Sequence, residues 1–323
     1  MSTIATTKSM QLLKFGRSSQ GKLQLREAQI PQAGPDQIVI KIQASSLNPH
    51  DWKYYEALRR IYHLPAPLPA LTLGHDLSGT VVSVGAKVKR FRVGDDVFAM
   101  SLKTGAFGQY LAVAAGQAAP KPRNLPHAEA ASLPMAALTA WQALLLASLQ
   151  DGERVLVLGG SGGVGSQAIQ IAKAKGAHVA AVCSTSNVAL VSSLGAEQAF
   201  DYKKIDVLES GQQFDVVLDT VGTLTPTSVK KILAPGGRFV STVPNAAIIL
   251  ATLLSYIPGI TLHATRTLIA LPIGRHLEEI ARLVEDGKVR PVIDREFPLE
   301  DIDSAIAYSK TGRTRGKIVL SIR

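Results

Sequence analysis

The sequence predicts an α/β protein built from two architectures, a strand-rich N-terminal domain and a doubly wound parallel sheet. Three observations carry that reading. At 323 residues and 46% hydrophobic composition, the chain exceeds one typical domain and has apolar surface for sizeable cores. From Met10 to about Leu125 short strand-like runs follow one another, whereas beyond His127 strands alternate with helical patterns. Finally, Val155-Leu156-Val157-Leu158 breaks into glycines through Gly165 and continues as a helical pattern, and Gly176 to Val182 supplies a second strand, a βαβ unit of about 30 residues.

Taken in order, Met1 to Lys8 is polar and lacks the charged-then-apolar order of a signal peptide, so it reads as a loose tail with structure starting near Met10. Strands are expected at Met10–Phe15, Leu23–Ala28, Ile38–Ser46, Thr80–Val84, Asp96–Met100 and Gln109–Val113. Pro31, Gly34-Pro35, Leu64–Pro69, Gly85, Gly94-Asp95 and Gly105 punctuate them. Ala128–Ala147, rich in Ala and Leu and broken by Pro134, predicts two helices. Phe214–Asp219 reads as a buried parallel strand, Pro226–Leu233 as a short helix, and Gly237–Ser241 as a strand after the Pro235-Gly236 stop. Ala246–Leu262 is almost uncharged and near spanning length, but Pro258 and Gly259 interrupt it; a buried helix plus edge strand is the better reading, with peripheral membrane contact left open. Arg275–Asp286 sets Leu277, Ile280, Ala281, Leu283 and Val284 at helical spacing before Gly287, and Gly316–Ile322 forms a final strand. No repeat and no separate linker is found, which predicts packed rather than tethered domains.

The net charge of +10 admits an anionic partner: nucleic acid, a membrane surface or a phosphorylated cofactor. Lys and Arg are spread along the chain with no basic cluster interleaved with aromatics, which argues against nucleic acid. The single cysteine, Cys183, excludes a disulfide framework and a Cys-rich zinc site, and it fits a reducing compartment, the cytoplasm.

Gly160, Gly162 and Gly165 satisfy G-x-G-x-x-G: the first allows the turn, the second admits a pyrophosphate, and the third lets helix and strand pack closely. The helix start, with Gly163 and Val164, offers free N–H groups and a positive dipole end to phosphates. Sites specific for NAD place an acid about twenty residues on, at the end of the second strand. Here that strand runs into Cys183-Ser184-Thr185-Ser186-Asn187, and no acid occurs from His178 until Glu197. NADPH is therefore expected over NADH, with Ser184, Ser186 and Asn187 at the site; the alternative is that these residues only finish a turn and both cofactors bind.

Together with longer motifs, the chain resembles the medium-chain dehydrogenase/reductase superfamily, specifically its zinc-independent quinone oxidoreductase (zeta-crystallin-like) branch. Gly74-His75-Asp76-Leu77-Ser78-Gly79-Thr80-Val81-Val82, with Val84-Gly85, Val88, Phe91, Val93-Gly94-Asp95 and Val97, is similar to the N-terminal core of that family. Ala44 to Lys53 is similar to its substrate-site signature, and Leu133 to Ala140 to its helix junction before the cofactor domain. The resemblance implies a GroES-like, partly β-barrel catalytic domain (1–127 and 268–323) with an inserted Rossmann domain (128–267) and NADPH in the interdomain cleft. It further implies cofactor contacts from Thr139, Tyr202, Lys203, Val221 and Val243, and a homodimer for which Ile260–Ala264 is the candidate edge, a covering loop being an equally physical way to close that edge.

What the resemblance implies is hydride transfer from NADPH to a quinone or an α,β-unsaturated carbonyl. The alternatives are an enoyl-thioester reductase and a non-catalytic, cofactor-binding structural protein. Relatives with catalytic zinc hold it with Cys, His and Cys; motif matching puts those positions on Asn48, His75 and Met135, so no metal is expected. For His75 a hydrogen-bonded packing role is expected over a site rebuilt with Asp51 or Asp76. Asn48 and Lys53 are the catalytic candidates: an amide to orient substrate or cofactor, and an ammonium to stabilise an enolate or hydroquinone anion or to donate a proton. A solvated loop lysine is the plain alternative for Lys53, and Trp52, Tyr54 and Tyr55 are open to stacking on a planar acceptor or to core packing.

Overall fold

A computed structural model describes residues 6–12, 23–53, 56, 71–103, 105–243, 245–254 and 264–322. The chain divides into two compact units, one of residues 1–135, 272–282 and 293–323 and the other of residues 136–271 and 283–292. The expected boundaries at 127/128 and 267/268 thus shift. The helix α1 (His127–Ala131) packs on strands of the first unit, and the 283–292 segment joins the second through Arg290, whose backbone exchanges hydrogen bonds of 2.9 and 3.0 Å with the Gln170 amide.

In the first unit, β1 (Thr6–Leu12), β2 (Leu23–Gln29) and β4 (Leu71–Thr72) form a small sheet in the order β2-β1-β4. The first strand starts at Thr6, ahead of the expected Met10, because β2 pairs along its whole length, Thr6 opposite Gln29. The larger sheet runs β15 (Ile293–Pro298), β16 (Lys317–Ser321), β3 (Gln37–Leu47), β5 (Asp76–Val84), β6 (Asp96–Met100), β8 (Ala118–Pro120), with β7 (Tyr110–Ala114) also on β3. Ile38, Ile40 and Ile42 of β3 pack with Leu77, Val81 and Val97, while Val39 between them is buried as well, so burial along this strand is not confined to one face. Strand β5 begins four residues before the expected Thr80. Gly79 interrupts the apolar pattern but not the ladder: a Cβ there would lie 2.1 Å from the Lys41 carbonyl oxygen, so the glycine is what lets β3 and β5 close.

The second unit holds a six-stranded parallel sheet in the order β11 (Gln198–Asp201), β10 (His178–Cys183), β9 (Arg154–Leu158), β12 (Phe214–Asp219), β13 (Leu233–Ser241), β14 (Ala264–Thr267). With β9 between β10 and β12, the strand order reverses at β9, and its C-terminal end is the topological switch point where open α/β sheets bind ligands. Two expectations fail locally. Strand β13 runs through Pro235-Gly236 by an irregularity in its pairing with Phe214 and Val216, and the expected helix at Pro226–Leu233 shrinks to a 3-10 turn at Ser228–Lys231. Helix Ala246–Leu254 buries Ile248 and Ala251 but exposes Ile249, Leu250 and Leu253, so it is not the buried helix expected. Among the described residues no helix is long and apolar enough to cross a membrane. Of the candidate dimer edge, Ile260–His263 lies outside the described residues and Ala264 opens β14.

Candidate active site

At the end of β9 the chain turns through Gly159, whose φ of +73° is open to glycine and strained for other residues. Gly160 N–H donates to the Val182 carbonyl at 3.0 Å, which fixes the turn against β10. A Cβ on Gly165 would lie 2.1 Å from the Gly159 oxygen, whereas one on Gly162 would meet nothing nearer than that same oxygen at 3.4 Å. The third glycine is thus consumed by helix–strand packing and the second by open space. Helix Gly163–Ala174 begins there with no side-chain cap and no acid in its first turn, so its leading N–H groups and positive dipole end, at Gly163 and Val164, are available to an anion.

Around this turn the structure gathers most of the sequence-predicted cofactor residues. The Asn187 amide donates to Ser161 Oγ at 3.0 Å and Ser184 Oγ at 3.1 Å, while its own Oδ1 is buried without a hydrogen-bond partner. Ser186 Oγ lies 3.4 Å from Ser184 Oγ, and Tyr202 N–H donates to the Cys183 carbonyl at 3.1 Å, which sets the exposed Tyr202-Lys203 turn beside the serines. Val221 and Val243 each lie two residues beyond the ends of β12 and β13; a Cβ on Gly159 would come 2.6 Å from Val221, and one on Gly222 would come 2.9 Å from Val243. Thr139 is buried on the helix Pro134–Leu146. Space over Gly162, uncapped N–H groups and an orphaned buried acceptor on Asn187 together fit a dinucleotide.

Two acids missed by sequence reasoning shape the cradle. Asp219, fully buried at the end of β12, accepts from the N–H groups of Val221, Gly222 and Leu224 at 2.8 to 2.9 Å and so holds the loop that carries Val221. Asp201 ends β11 level with Cys183, accepts from Lys203 N–H at 3.1 Å and has Lys204 at 4.0 Å. Scanning for an acid along β10 alone overlooks this neighbour; only the parallel register reveals it.

The first unit holds a buried polar cluster where three strand ends meet. Register puts Ser46 opposite Asp76 and Ile318 opposite Leu47, which brings Asn48, Asp76 and Lys317 together. Asp76 is fully buried; its Oδ2 accepts from Ser46 Oγ and Asn48 Nδ2, both at 2.9 Å, and from Lys317 Nζ at 3.3 Å, while Oδ1 accepts from Met135 N–H at 2.8 Å. The Lys317 ammonium also donates to Asn48 Oδ1. Asn48, named from sequence as catalytic, thus has its amide engaged at both ends and fixes the loop that follows it. Lys317 was read only as the start of a strand; one lysine before an apolar run carries no sign of burial.

Helical residues 49–53 follow Asn48. Asp51, 1% exposed, accepts from Asn48 N–H at 2.7 Å and, through Oδ1, engages His75 Nδ1 at 2.7 Å. Burial opposes charge on His75, but the hydrogen bond and charge of Asp51, with Asp76 beyond, outweigh it and raise the ring's pKa. Trp52, partly buried, packs against the cluster of Leu299, Ile302 and Ile306 and donates from Nε1 to Ser309 at 3.1 Å, with Lys310 Nζ 5.5 Å from its ring centroid. Lys53 is exposed, its Nζ 5.6 Å from the Trp52 ring centroid, and is in no ion pair among the described residues. Tyr54 and Tyr55 lie outside the described residues.

The zinc positions of metal-bearing relatives do not fit zinc here. Asn48 is committed to Lys317 and Asp76, His75 offers one remaining nitrogen, and Met135 brings a soft thioether. Among the described residues, no group of three or more His, Cys, Asp or Glu converges as a metal site.

Comparison with known proteins agrees with this geometry. Residues 34–123 match the alcohol dehydrogenase GroES-like domain model and residues 194–320 the zinc-binding dehydrogenase model. The chain is 36% identical to "NAD(P)H oxidoreductase RTN4IP1, mitochondrial" of Bos taurus, over 89% of this chain and 82% of that one. It is 35% identical to "NADPH-dependent alkenal/one oxidoreductase, chloroplastic" of Arabidopsis thaliana, over 90% and 73% respectively. Among solved structures, the quinone oxidoreductase from Coxiella burnetii superposes with a TM-score of 0.84 at 31% identity, covering 99% of this chain and all of that one. The chain belongs to the medium-chain dehydrogenase/reductase superfamily. Within that superfamily it falls in the zinc-independent quinone oxidoreductase branch, in keeping with the altered zinc positions. The first two relatives are named for mitochondria and chloroplasts, which lends no support to the cytoplasm expected from Cys183.

Proposed function

We propose that this protein is a zinc-independent oxidoreductase that passes hydride from NADPH to a quinone or to the β-carbon of an α,β-unsaturated carbonyl. The observation that carries the reading is the conversion of the zinc positions into a closed hydrogen-bond network, Asn48 with Lys317 and Asp76 and His75 with Asp51, in a chain that keeps an open dinucleotide cradle. When bound, the nicotinamide supplies the hydride. The chain's own tasks are then to hold the cofactor, orient the acceptor and stabilise negative charge on the acceptor oxygen.

In this reading Gly160, Gly162, Gly163, Val164 and Gly165 receive the pyrophosphate, and Val221 and Val243 flank it. Ser184, Ser186 and Asn187, with Tyr202 and Lys203, receive the adenosine end. The preference for NADPH rests on hydroxyl donors in place of an acid on β10, with Lys203 and Lys204 offsetting Asp201 on the neighbouring strand. Lys53, in no ion pair among the described residues and on the loop fixed by Asn48, is assigned to the developing oxyanion. A homodimer through β14, the last strand at that end of the sheet among the described residues, would cover its outer backbone groups. Cytoplasmic placement rests on the lone, buried Cys183 only.

The test is an acceptor panel followed by NADPH absorbance: quinones, enones, alkenals, saturated aldehydes and, in reverse, alcohols. Oxidation of NADPH with quinone or enone, unaffected by a chelator, is expected. Alcohol oxidation that is lost on chelation, or no turnover with any quinone or enone, would overturn the proposal.

A further inference from the structure

The corner proposed for the 2′-phosphate contains a carboxylate, the wrong charge for a phosphate neighbour. Asp201 ends β11, and the parallel register sets it opposite Cys183, the last residue of β10 before the Ser184–Asn187 turn. It is followed by Tyr202, Lys203 and Lys204, and an aspartate in such a position accepts a hydrogen bond from the backbone two residues on. That bond is present: Lys203 N–H donates to Asp201 Oδ1 at 3.1 Å, and the N–H groups of Lys204 and Ile205 donate to the Asp201 carbonyl, each at 2.9 Å. Tyr202 N–H donates across to the Cys183 carbonyl at 3.1 Å, so the turn is tied to its own strand and to β10. Asp201 itself is 7% exposed, whereas Tyr202 and Lys203 are exposed. The carboxylate is thus placed to hold the turn and not to meet a ligand.

The two lysines divide. Lys204 Nζ lies 4.0 Å from Asp201 Oδ2 and offsets its charge, while Lys203 is in no ion pair among the described residues. A lysine on a loose turn loses backbone and side-chain freedom on meeting an anion, but one on a fixed turn loses only its own rotamers. The Thr185 side chain of the facing turn, then Lys203 N–H and the charges of Lys204 and Lys203, outweigh burial and lower the Asp201 pKa, so the acceptor stays ionised at neutral pH.

We infer that Asp201 is a positioning residue for cofactor selection: by accepting from Lys203 N–H it fixes the Tyr202-Lys203 turn, which leaves the Lys203 ammonium to the 2′-phosphate of NADPH, and it makes no contact with the cofactor itself. The inference rests on the reading of NADPH as the cofactor and involves only residues of the second unit. A carboxylate that acted by repelling the 2′-phosphate would give the opposite sign, because removing its charge would then tighten binding.

The experiment compares the full-length parent with Asp201→Asn, Asp201→Ala, Lys203→Met and the double variant of Asp201→Ala with Lys203→Met. Calorimetry reads the affinity for adenosine 2′,5′-bisphosphate and for 5′-AMP, which lacks the 2′-phosphate, and thermal melts read folding. Asp201→Ala should weaken the bisphosphate about tenfold and leave 5′-AMP within about threefold, and Lys203→Met should do the same. Asp201→Asn, which keeps the acceptor for Lys203 N–H, should hold both affinities within about threefold of parent. In the Lys203→Met background, Asp201→Ala should weaken the bisphosphate by less than about threefold more, because a residue that acts through Lys203 has nothing left to position. A bisphosphate affinity kept by a folded Asp201→Ala, changed beyond about threefold by Asp201→Asn, lowered equally with that for 5′-AMP, or lowered again by the full factor in the Lys203→Met background overturns the assignment. Should Asp201→Ala melt below the assay temperature, the other two single variants decide: discrimination kept in Lys203→Met, or a changed affinity in Asp201→Asn, overturns it. A parent that binds the bisphosphate no tighter than 5′-AMP overturns the NADPH reading and the assignment with it, a failure distinct from loss of the assignment alone in a parent that discriminates.

Discussion

Replacing Gly162 and Gly165 separately by alanine tests whether the glycine turn is shaped for a ligand or only for packing. A methyl at Gly165 would lie 2.1 Å from the Gly159 oxygen, 2.8 Å from its carbonyl carbon and 2.9 Å from Gly160 Cα, all backbone atoms that cannot swing aside. Overpacking of that kind costs about 1–3 kcal/mol, a fall in Tm of roughly 2–12 °C for a unit of this size. At Gly162 the nearest atom is 3.4 Å away, and φ of −81° with ψ of 179° is ordinary extended backbone for alanine. The lost chain entropy of glycine, ~0.4–1 kcal/mol in favour of alanine, opposes its poorer N-capping, so stability should stay within about 1 kcal/mol. The same methyl fills the space a phosphate oxygen needs, and NADPH affinity should fall at least tenfold, ~1.4 kcal/mol. Thermal melts and NADPH titration by fluorescence read both quantities. If the Gly162 variant binds NADPH like the parent, or melts as early as the Gly165 variant, the cradle has been misread.

Four further outcomes follow from the geometry. Lys317→Met strands a buried carboxylate and should cost about 3 kcal/mol in urea denaturation, the low end for a broken buried pair because Asp76 keeps Ser46, Asn48 and Met135 as donors; adding Asp76→Asn should recover part of it. Lys53→Ala should lower kcat on the order of 10²-fold with little change in NADPH binding, and a change under about threefold, ~0.7 kcal/mol, would make it a plain surface lysine. Ser184→Asp should reduce kcat/KM with NADPH about tenfold and leave NADH nearly unchanged; equal losses would free this turn from any role in reading the 2′-phosphate. His75 has a raised pKa, so its contribution to stability is complete below its ordinary value of 6.5 and is lost as pH rises through the folded value; chemical denaturation across that window should show a slope that disappears in His75→Gln.

Much of the fold was legible because its signals are periodic and local. The apolar runs at Ile38–Ile40, Val155–Leu158 and Phe214–Leu218 report burial directly, and the glycine spacing reports a turn whose close contacts are backbone on backbone. Sequence reading failed where two distant segments decide the outcome. Pro235-Gly236 reads as a stop, yet the pairing of β13 with β12 carries the strand across it. Gly79 reads as a gap, yet it is the point where β5 meets the Lys41 backbone. The site divides in the same way. Ser184, Ser186 and Asn187 are near neighbours in sequence, whereas Lys317 and Asp201 join their clusters only through strand register, Ile318 opposite Leu47 and Asp201 opposite Cys183. Asn48 is a candidate from the loop alone, but its commitment to Lys317 and Asp76 is set by segments far away in the chain.

Direct hydride transfer to a quinone or enone without zinc leaves an isotopic signature in the product. Protein treated with a chelator and verified metal-free by elemental analysis is supplied with NADPH deuterated at C4 of the nicotinamide, with the label on either face, and an enone. Mass spectrometry of the reduced product locates the label. Deuterium is expected on the β-carbon from one of the two labelled cofactors, at the rate of untreated protein; loss of turnover on metal removal, restored by zinc, or a product with no label at the β-carbon from either cofactor, would contradict zinc-free hydride transfer.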